Sequence, residues 1–523
     1  MLNRDMSAPA HAAAKAERLA ASPRQRWLVL AVVSGSLLLC GIDLTVLHVV
    51  VPSMSVDLQP SAAQLLWIVD VYSLALAALL VTCGTLGDRI GRRRMVLSGF
   101  FAFGFASAAC ALSTSTAQLI AARTALGIAA AMIMASTVAI IRVVFTDDRE
   151  RALAIGVWTS AHSVGATIGP LLGGLVAEQW GWSAVFLVNI PVIIVILAVG
   201  IRVIPESKNP VPRRWDLASV VLSVTGLTGV VYALQRAGEH AGVNAMILVT
   251  AIGGAALLYT FVRRQRRLAE PLLDFSLFGE RHFTTATLCV IGCFGSYVAL
   301  LFFLTQWLQQ VGAYSPLRAG LALMPLAGAN AVGAITAPWV SNRWGNRWAL
   351  TGALSLFAIA YAAIAAVGDT AHYGMLLLPL LAAGYGAGIV MSAGADSIMS
   401  AASPERSGEA AAIQETSFEL GAGLGIAVLG TVLTLVYRTG LASVPGVAAS
   451  ERTAVGESFS MAEDVTTHLP APTAHAVLNA ARQAYDHGFT AVAVIASIGL
   501  AATGGMAAVL LRPRTVGHQG ASD

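Results

Sequence analysis

Apolar residues run along this chain in stretches of about 20, the length at which a helix crosses the hydrocarbon core of a bilayer. Polar and basic residues gather between the stretches. Fourteen are legible, at 27–50, 64–85, 95–114, 117–141, 152–176, 184–204, 216–236, 244–262, 283–308, 319–340, 349–368, 375–398, 409–436 and 488–511. The pattern predicts an all-α polytopic membrane protein with fourteen transmembrane helices.

Charge then orients the spans. Of the 32 Lys and Arg residues, 26 fall in the two tails and in the loops after even-numbered spans. Arg236, Arg318, Arg438, Arg452 and Arg482 lie on the other side, and Arg123 lies within a span. Positive loops stay in the cytoplasm, so both termini are expected inside a multi-pass protein of the cell inner (plasma) membrane. Composition agrees, with 56% hydrophobic and 11% charged residues among 523, far from soluble norms. The net charge of +4 therefore reflects topology, and the expected surroundings are lipid, not nucleic acid. The basic tail before span one resembles a signal peptide, yet the apolar run continues to Val51, so a retained helix is expected. Cys40, Cys83, Cys110, Cys289 and Cys293 all fall in spans and are expected to be free thiols.

The spans divide into a cytoplasmic tail (1–26), a six-helix half (27–204), a linker carrying two extra transmembrane helices (205–282), a second six-helix half (283–511) and a cytoplasmic tail (512–523). "GDRIGRRR" after span two is echoed by "SNRWGNRW" after span ten, the corresponding place in the second half. A long polar stretch at 438–487 is expected on the outside, with "TAHAVLNAARQAYDHG" as a short amphipathic helix in a surface cap.

Several chemistries are excluded. The two lysines, Lys15 and Lys208, follow Ala14 and Ser207 instead of the glycine a phosphate loop requires. Zinc-ligand spacing and a G-x-S-x-G nucleophile elbow are absent from the sequence. An enzyme, a metal site and a cofactor are not expected.

Charged residues inside spans cost several kcal/mol, roughly, and are functional candidates for that reason. Asp43 falls in the outer half of span one, and Asp70 about two turns below the outer surface in span two, where the two acids could meet. Glu415 and Glu419 of span thirteen are one turn apart on one face, Glu415 toward the cytoplasm and Glu419 nearer the midplane. Asp396 sits near the inner end of span twelve. Acids at several depths suit a pathway for a cation or proton. His48 and His162 are further candidates for carrying protons. Trp67 shares the face of Asp70, and Tyr297, Phe302, Phe303 and Trp307 populate span nine. Aromatic faces beside a carboxylate suit an organic cation.

These residues resemble the major facilitator superfamily, specifically its fourteen-helix drug:proton antiporter branch. "GTLGDRIGRRR", with Gly84, Asp88, Arg89, Gly91, Arg92 and Arg93, is similar to the signature loop between helices two and three. "LIAARTALGIAAA" resembles the proton-linked helix-four motif at Arg123 and Gly127, with Leu126 where a polar residue is often found. "GATIGPLLGG" resembles the helix-five antiporter motif at Gly165, Gly169, Pro170, Gly173 and Gly174. "DLTVLHVVVP" resembles the helix-one motif, with His48 where Asn is common. With "LLWIVDVYSL" and "FELGAGLGIAVLG", the chain looks most like exporters of quaternary ammonium compounds and methyl viologen.

The resemblance implies a major facilitator fold, two six-helix halves plus two inserted helices, acting as a monomer. It implies proton-coupled multidrug efflux of lipophilic organic cations, driven by the proton gradient without a cofactor. Asp43, Asp70, Glu415, Glu419 and Trp67 are then the expected substrate and proton site. Asp88, Arg92, Arg93, Arg123, Gly165, Gly169 and Pro170 are the expected gating and coupling residues, with Asp88 pairing Arg92 and Arg93 across an inner gate. Export of a native metabolite or modified lipid is the alternative, and a non-transporting membrane sensor is a more distant one.

Overall fold

The computed structural model describes residues 23–207, 216–239, 244–268, 271, 275–367, 373–400, 407–441, 454–456 and 458–511. Most of both expected tails, 1–22 and 512–523, lies outside the described residues, as do parts of the linker and residues 442–453.

The chain is all-α, because a segment in lipid must satisfy its backbone groups internally and a helix does so within one segment. The spans are Pro23–Leu58, Ala62–Ile90, Arg92–Ala111, Thr116–Val144, Asp148–Trp180, Ala184–Val203, Leu217–Glu239, Ala245–Gln265, Arg281–Gln310, Pro316–Val367, Tyr373–Ser400, Ser407–Gly440 and Ala471–Leu510. Pro316–Val367, at 52 residues, is too long for one crossing. It breaks at Gly345, whose φ of 78° and ψ of 153° are not helical, and so supplies spans ten and eleven. The described residues thus hold fourteen crossings. Several start on side-chain caps: Ser61 forms a capping box with Gln64, and Ser115, Asn244 and Ser315 accept from the amides three residues on.

The sequence echo is also a backbone echo. Gly91 and Gly345 occupy the same place in "GDRIGRRR" and "SNRWGNRW", and both have positive φ, 113° and 78°, which glycine tolerates best. In each case one residue separates two membrane-length helices.

Large apolar side chains point outward, among them Phe105, Leu378 and Ile335 at 74%, 75% and 78% exposure. Such an apolar exterior is one that lipid, not water, covers. The inserted pair is not peripheral throughout. Span seven packs on spans two and thirteen, while span eight packs on span seven. Leu74, Val231 and Ala427 make a small core at that seam.

Two boundaries differ from expectation. Span thirteen runs on to Gly440, and the helix of span fourteen begins at Ala471, not 488. "TAHAVLNAARQAYDHG" therefore lies within the first half of a 40-residue helix. Hydropathy marks where the membrane ends, whereas hydrogen bonding lets the helix continue past it. Within the loop, Phe459–Thr466 forms a short helix whose Phe459 and Ala462 are buried.

Candidate transport site

Span one carries Asp43 into the middle of the first six-helix set, where span four brings Arg123. Arg123 Nη1 lies 2.6 Å from Asp43 Oδ2, and the side chains are 1% and 0% exposed. Arg123 Nε donates to the Ile68 carbonyl at 3.2 Å, and the guanidinium lies 4.7 Å from the Tyr72 ring centroid. Asn189 of span six donates to Asp43 Oδ1 at 3.3 Å and to Ser107 of span three at 3.0 Å. Ser107 in turn donates to the Phe186 carbonyl. A buried charge pair needs this many polar neighbours, because its mutual attraction only about offsets the loss of water.

The expected meeting of Asp43 and Asp70 does not occur. Asp70 turns toward span seven, where Gln235 Nε2 donates to its Oδ2 at 2.9 Å. Asp70 Oδ1 and Gln235 Oε1 are both buried without a hydrogen-bond partner. Trp67 does share that face, but it packs half-buried beside Leu227 and Val231 at the seam with span seven.

Glu419 projects from span thirteen toward span two, facing the Ser73 hydroxyl across the boundary between the two helix sets. It is 1% exposed, and its Oε2 has no hydrogen-bond partner. The Tyr72 hydroxyl, also buried and unpartnered, lies within electrostatic range of Asp43, Arg123 and Glu419. Glu415, one turn earlier, is half-buried. Glu419, Tyr72 and the Arg123–Asp43 pair are thus polar groups gathered in an apolar interior.

The proximal loop, on the side of the described chain ends, holds the expected Asp88–Arg92 pair, while Arg93 bonds elsewhere. Arg92 Nε donates to Asp88 Oδ1 at 2.9 Å and its Nη2 lies 2.8 Å from the same oxygen. Arg93 instead donates to the Ile201 carbonyl, and the Arg92 amide donates to the Ser207 carbonyl. These contacts fasten the loop to the exit of span six, within the first helix set. Asp396 is exposed one turn from the end of span twelve, as an interfacial acid would be.

Spans five and one cross closely. A Cβ on Gly165 would strike the Leu38 carbonyl, and one on Gly169 would strike Thr45 Oγ1. On the distal side, away from the described chain ends, span five meets span ten: a Cβ on Gly174 would sit 2.5 Å from the Pro316 carbonyl oxygen, and one on Gly320 2.5 Å from that of Pro170. Gln309 donates to the Val49 carbonyl at 2.7 Å and Ser315 to Glu178 at 3.3 Å. The two helix sets are therefore in contact at this end.

Both nitrogens of His48 are buried and unpartnered, and its ring lies 5.4 Å from that of Phe302. His162 is half-buried. Tyr297, Phe302, Phe303 and Trp307 are buried, and the carboxylate that Trp307 meets, at 2.8 Å, is Asp486. All five cysteines are free and buried. The sequence reading missed Asn189, Gln235 and Tyr72. Asn189 was findable, as a polar residue in the apolar run "FLVNIPVII". Gln235 was hidden beside Arg236, where a span end was expected.

A model of the Major Facilitator Superfamily matches residues 33–426. The chain is similar to the multidrug efflux pump LfrA of Mycolicibacterium smegmatis, 37% identical over 94% of this chain and 97% of that one. It is also similar to the methyl viologen resistance protein SmvA of Salmonella typhimurium, 33% identical over 88% of this chain and 93% of that one. Among solved structures, it resembles a bacterial homolog of the human lysosomal transporter Spinster in an inward-facing and occupied conformation. The TM-score is 0.65 and the identity 19%, covering 94% of this chain and 98% of that one, a likeness of fold alone.

Proposed function

We propose that this chain, which belongs to the major facilitator superfamily and is a transporter, not an enzyme, exports lipophilic organic cations in exchange for protons. The observation that carries the reading is Glu419: a carboxyl 1% exposed, at the boundary between the two helix sets, with one oxygen unpartnered. The similarity to LfrA and SmvA supports drug-like and bipyridinium cations as the substrate class.

A carboxylate in such a place accepts one positive charge at a time, since a second would go uncompensated out of water. Proton and cation therefore displace one another. The distal contact between spans five and ten closes the outer side, and the site loads from the cytoplasm once the opposite side parts. The membrane is the cell inner membrane, both termini are cytoplasmic, and one chain suffices.

The test is flux in proteoliposomes of purified protein with an imposed pH gradient. One proton exchanged for a monocation moves no net charge, so about 1.36 kcal/mol per pH unit drives it. The membrane potential, worth about 2.3 kcal/mol per 100 mV and elementary charge, adds nothing. Export of a singly charged dye should follow the pH gradient and stop when it collapses. Export that persists on ATP with the gradient gone overturns the reading.

A further inference from the structure

Pro170 lacks an amide hydrogen, so it cannot bond the carbonyl four residues before it, that of Ala166. In lipid, a carbonyl left open is costly. Here another helix closes it: Thr45 Oγ1 of span one donates to the Ala166 oxygen at 3.0 Å. Thr45 is 1% exposed, and the hydroxyl reaches span five because Gly169 has no side chain in its way.

The hydroxyl has a second choice. Thr45 Oγ1 is also 3.2 Å from the Gly41 carbonyl of its own helix. Its single hydrogen serves one acceptor well at a time. If span five withdraws, Thr45 loses nothing, because it falls back on Gly41, and the whole cost of separation lies on the Ala166 carbonyl. Ala166 and Pro170 stand where span five continues to its contact with Gly320 of span ten. Asp43 lies two residues before Thr45 on the same helix, about 200° around its axis. One short segment of span one thus holds the buried ion pair on one side and the span-five carbonyl on the other.

We infer that Thr45 is a positioning residue, a latch that completes the helix opened by Pro170 and holds span five in the distal-closed arrangement. The inference rests on the transport reading, since it assigns the latch to a cycle in which that closure opens. Its own test, however, reads conformation and not flux.

Spin labels at Gln179→Cys and Arg318→Cys, both exposed positions near the distal ends of spans five and ten, report the closed-to-open ratio by pulsed dipolar distances in nanodiscs. The five native cysteines are buried. An unsatisfied buried acceptor shifts an equilibrium by about fivefold or more. Thr45→Val should lower the closed-to-open ratio by at least that factor, and Thr45→Ser should restore it to within twofold, roughly the effect of a conserved hydrogen bond. Pro170→Ala returns an amide to Ala166, so Thr45→Val added to it should change the ratio by less than about twofold.

An unchanged ratio in Thr45→Val, or an equal shift in the Pro170→Ala background, overturns the inference. If Thr45→Val alone does not fold, recovery of the folded protein in the double variant supports it, and failure of the double variant overturns it. No cation is added in these measurements, so a failed export assay leaves the latch result readable.

Discussion

Asp70 and Gln235 are 165 positions apart in sequence, yet one hydrogen bond of 2.9 Å joins span two to inserted span seven through them. The inserted pair therefore reaches a buried acid of span two. Leaving a buried polar group without its hydrogen-bond partner costs about 1–3 kcal/mol. Gln235→Leu should leave the protein assembled but slow cation efflux by roughly tenfold, because Asp70 loses its donor. Initial rates at matched protein levels decide it, and a rate within about twofold of the parent would make the inserted spans mere passengers.

Glu419→Gln keeps the shape of the side chain but cannot ionise. It should abolish proton-coupled export of every cation. Glu415→Gln should impair the dication methyl viologen more than a singly charged dye, since it removes one charge and leaves the deeper site. The same efflux assay on both variants and both substrates checks this; parental rates in Glu419→Gln would mark the pair as structural.

The Arg123–Asp43 pair should behave asymmetrically under substitution. Removing either partner leaves a buried charge alone, at a cost of about 3–5 kcal/mol. Arg123→Ala should lower the melting midpoint in detergent sharply, whereas Arg123→Met combined with Asp43→Leu should recover much of the loss. The recovered protein should still fail to couple flux to the pH gradient.

At the proximal ends of spans seven and eight, Arg264 Nε and Nη2 lie 2.8 and 3.0 Å from the two oxygens of Asp216. These bonds hold the Asp216 carboxyl down from its usual 3.8 to about 2. A carboxylate lowered on folding stabilises above its unfolded value, and the contribution fades as pH falls through the folded one. Arg264→Gln should therefore lower the melting midpoint slightly at pH 7, and the difference from the parent should vanish as pH approaches about 2. A difference that grows in acid would contradict the assignment.

The fourteen crossings were legible because apolar length alone decides them. What hydropathy cannot supply is partnership. It marks Asp43, Asp70, Arg123 and Glu419 as costly in lipid, but only the packing of helices shows that Arg123 lies 80 positions from its acid and that Asp70 faces away from it. At Asp88, Arg92 and Arg93 local reasoning supplied the Asp88–Arg92 pair, four residues apart, but not the partner of Arg93. The Ile201 and Ser207 carbonyls, distant in sequence, take Arg93 and the Arg92 backbone amide.

The break at Gly345 leaves spans ten and eleven joined by a single residue outside the helix. Such a joint has two soft dihedrals and no spare chain. Span eleven, at 1.5 Å per residue, extends about 33 Å beyond it, so a swing of 10° about the turn carries the far end roughly 6 Å. Span ten begins at the distal contact with span five and ends at this turn. A tilt of span ten that the two dihedrals of Gly345 do not take up is passed to span eleven, which then acts as a rigid arm.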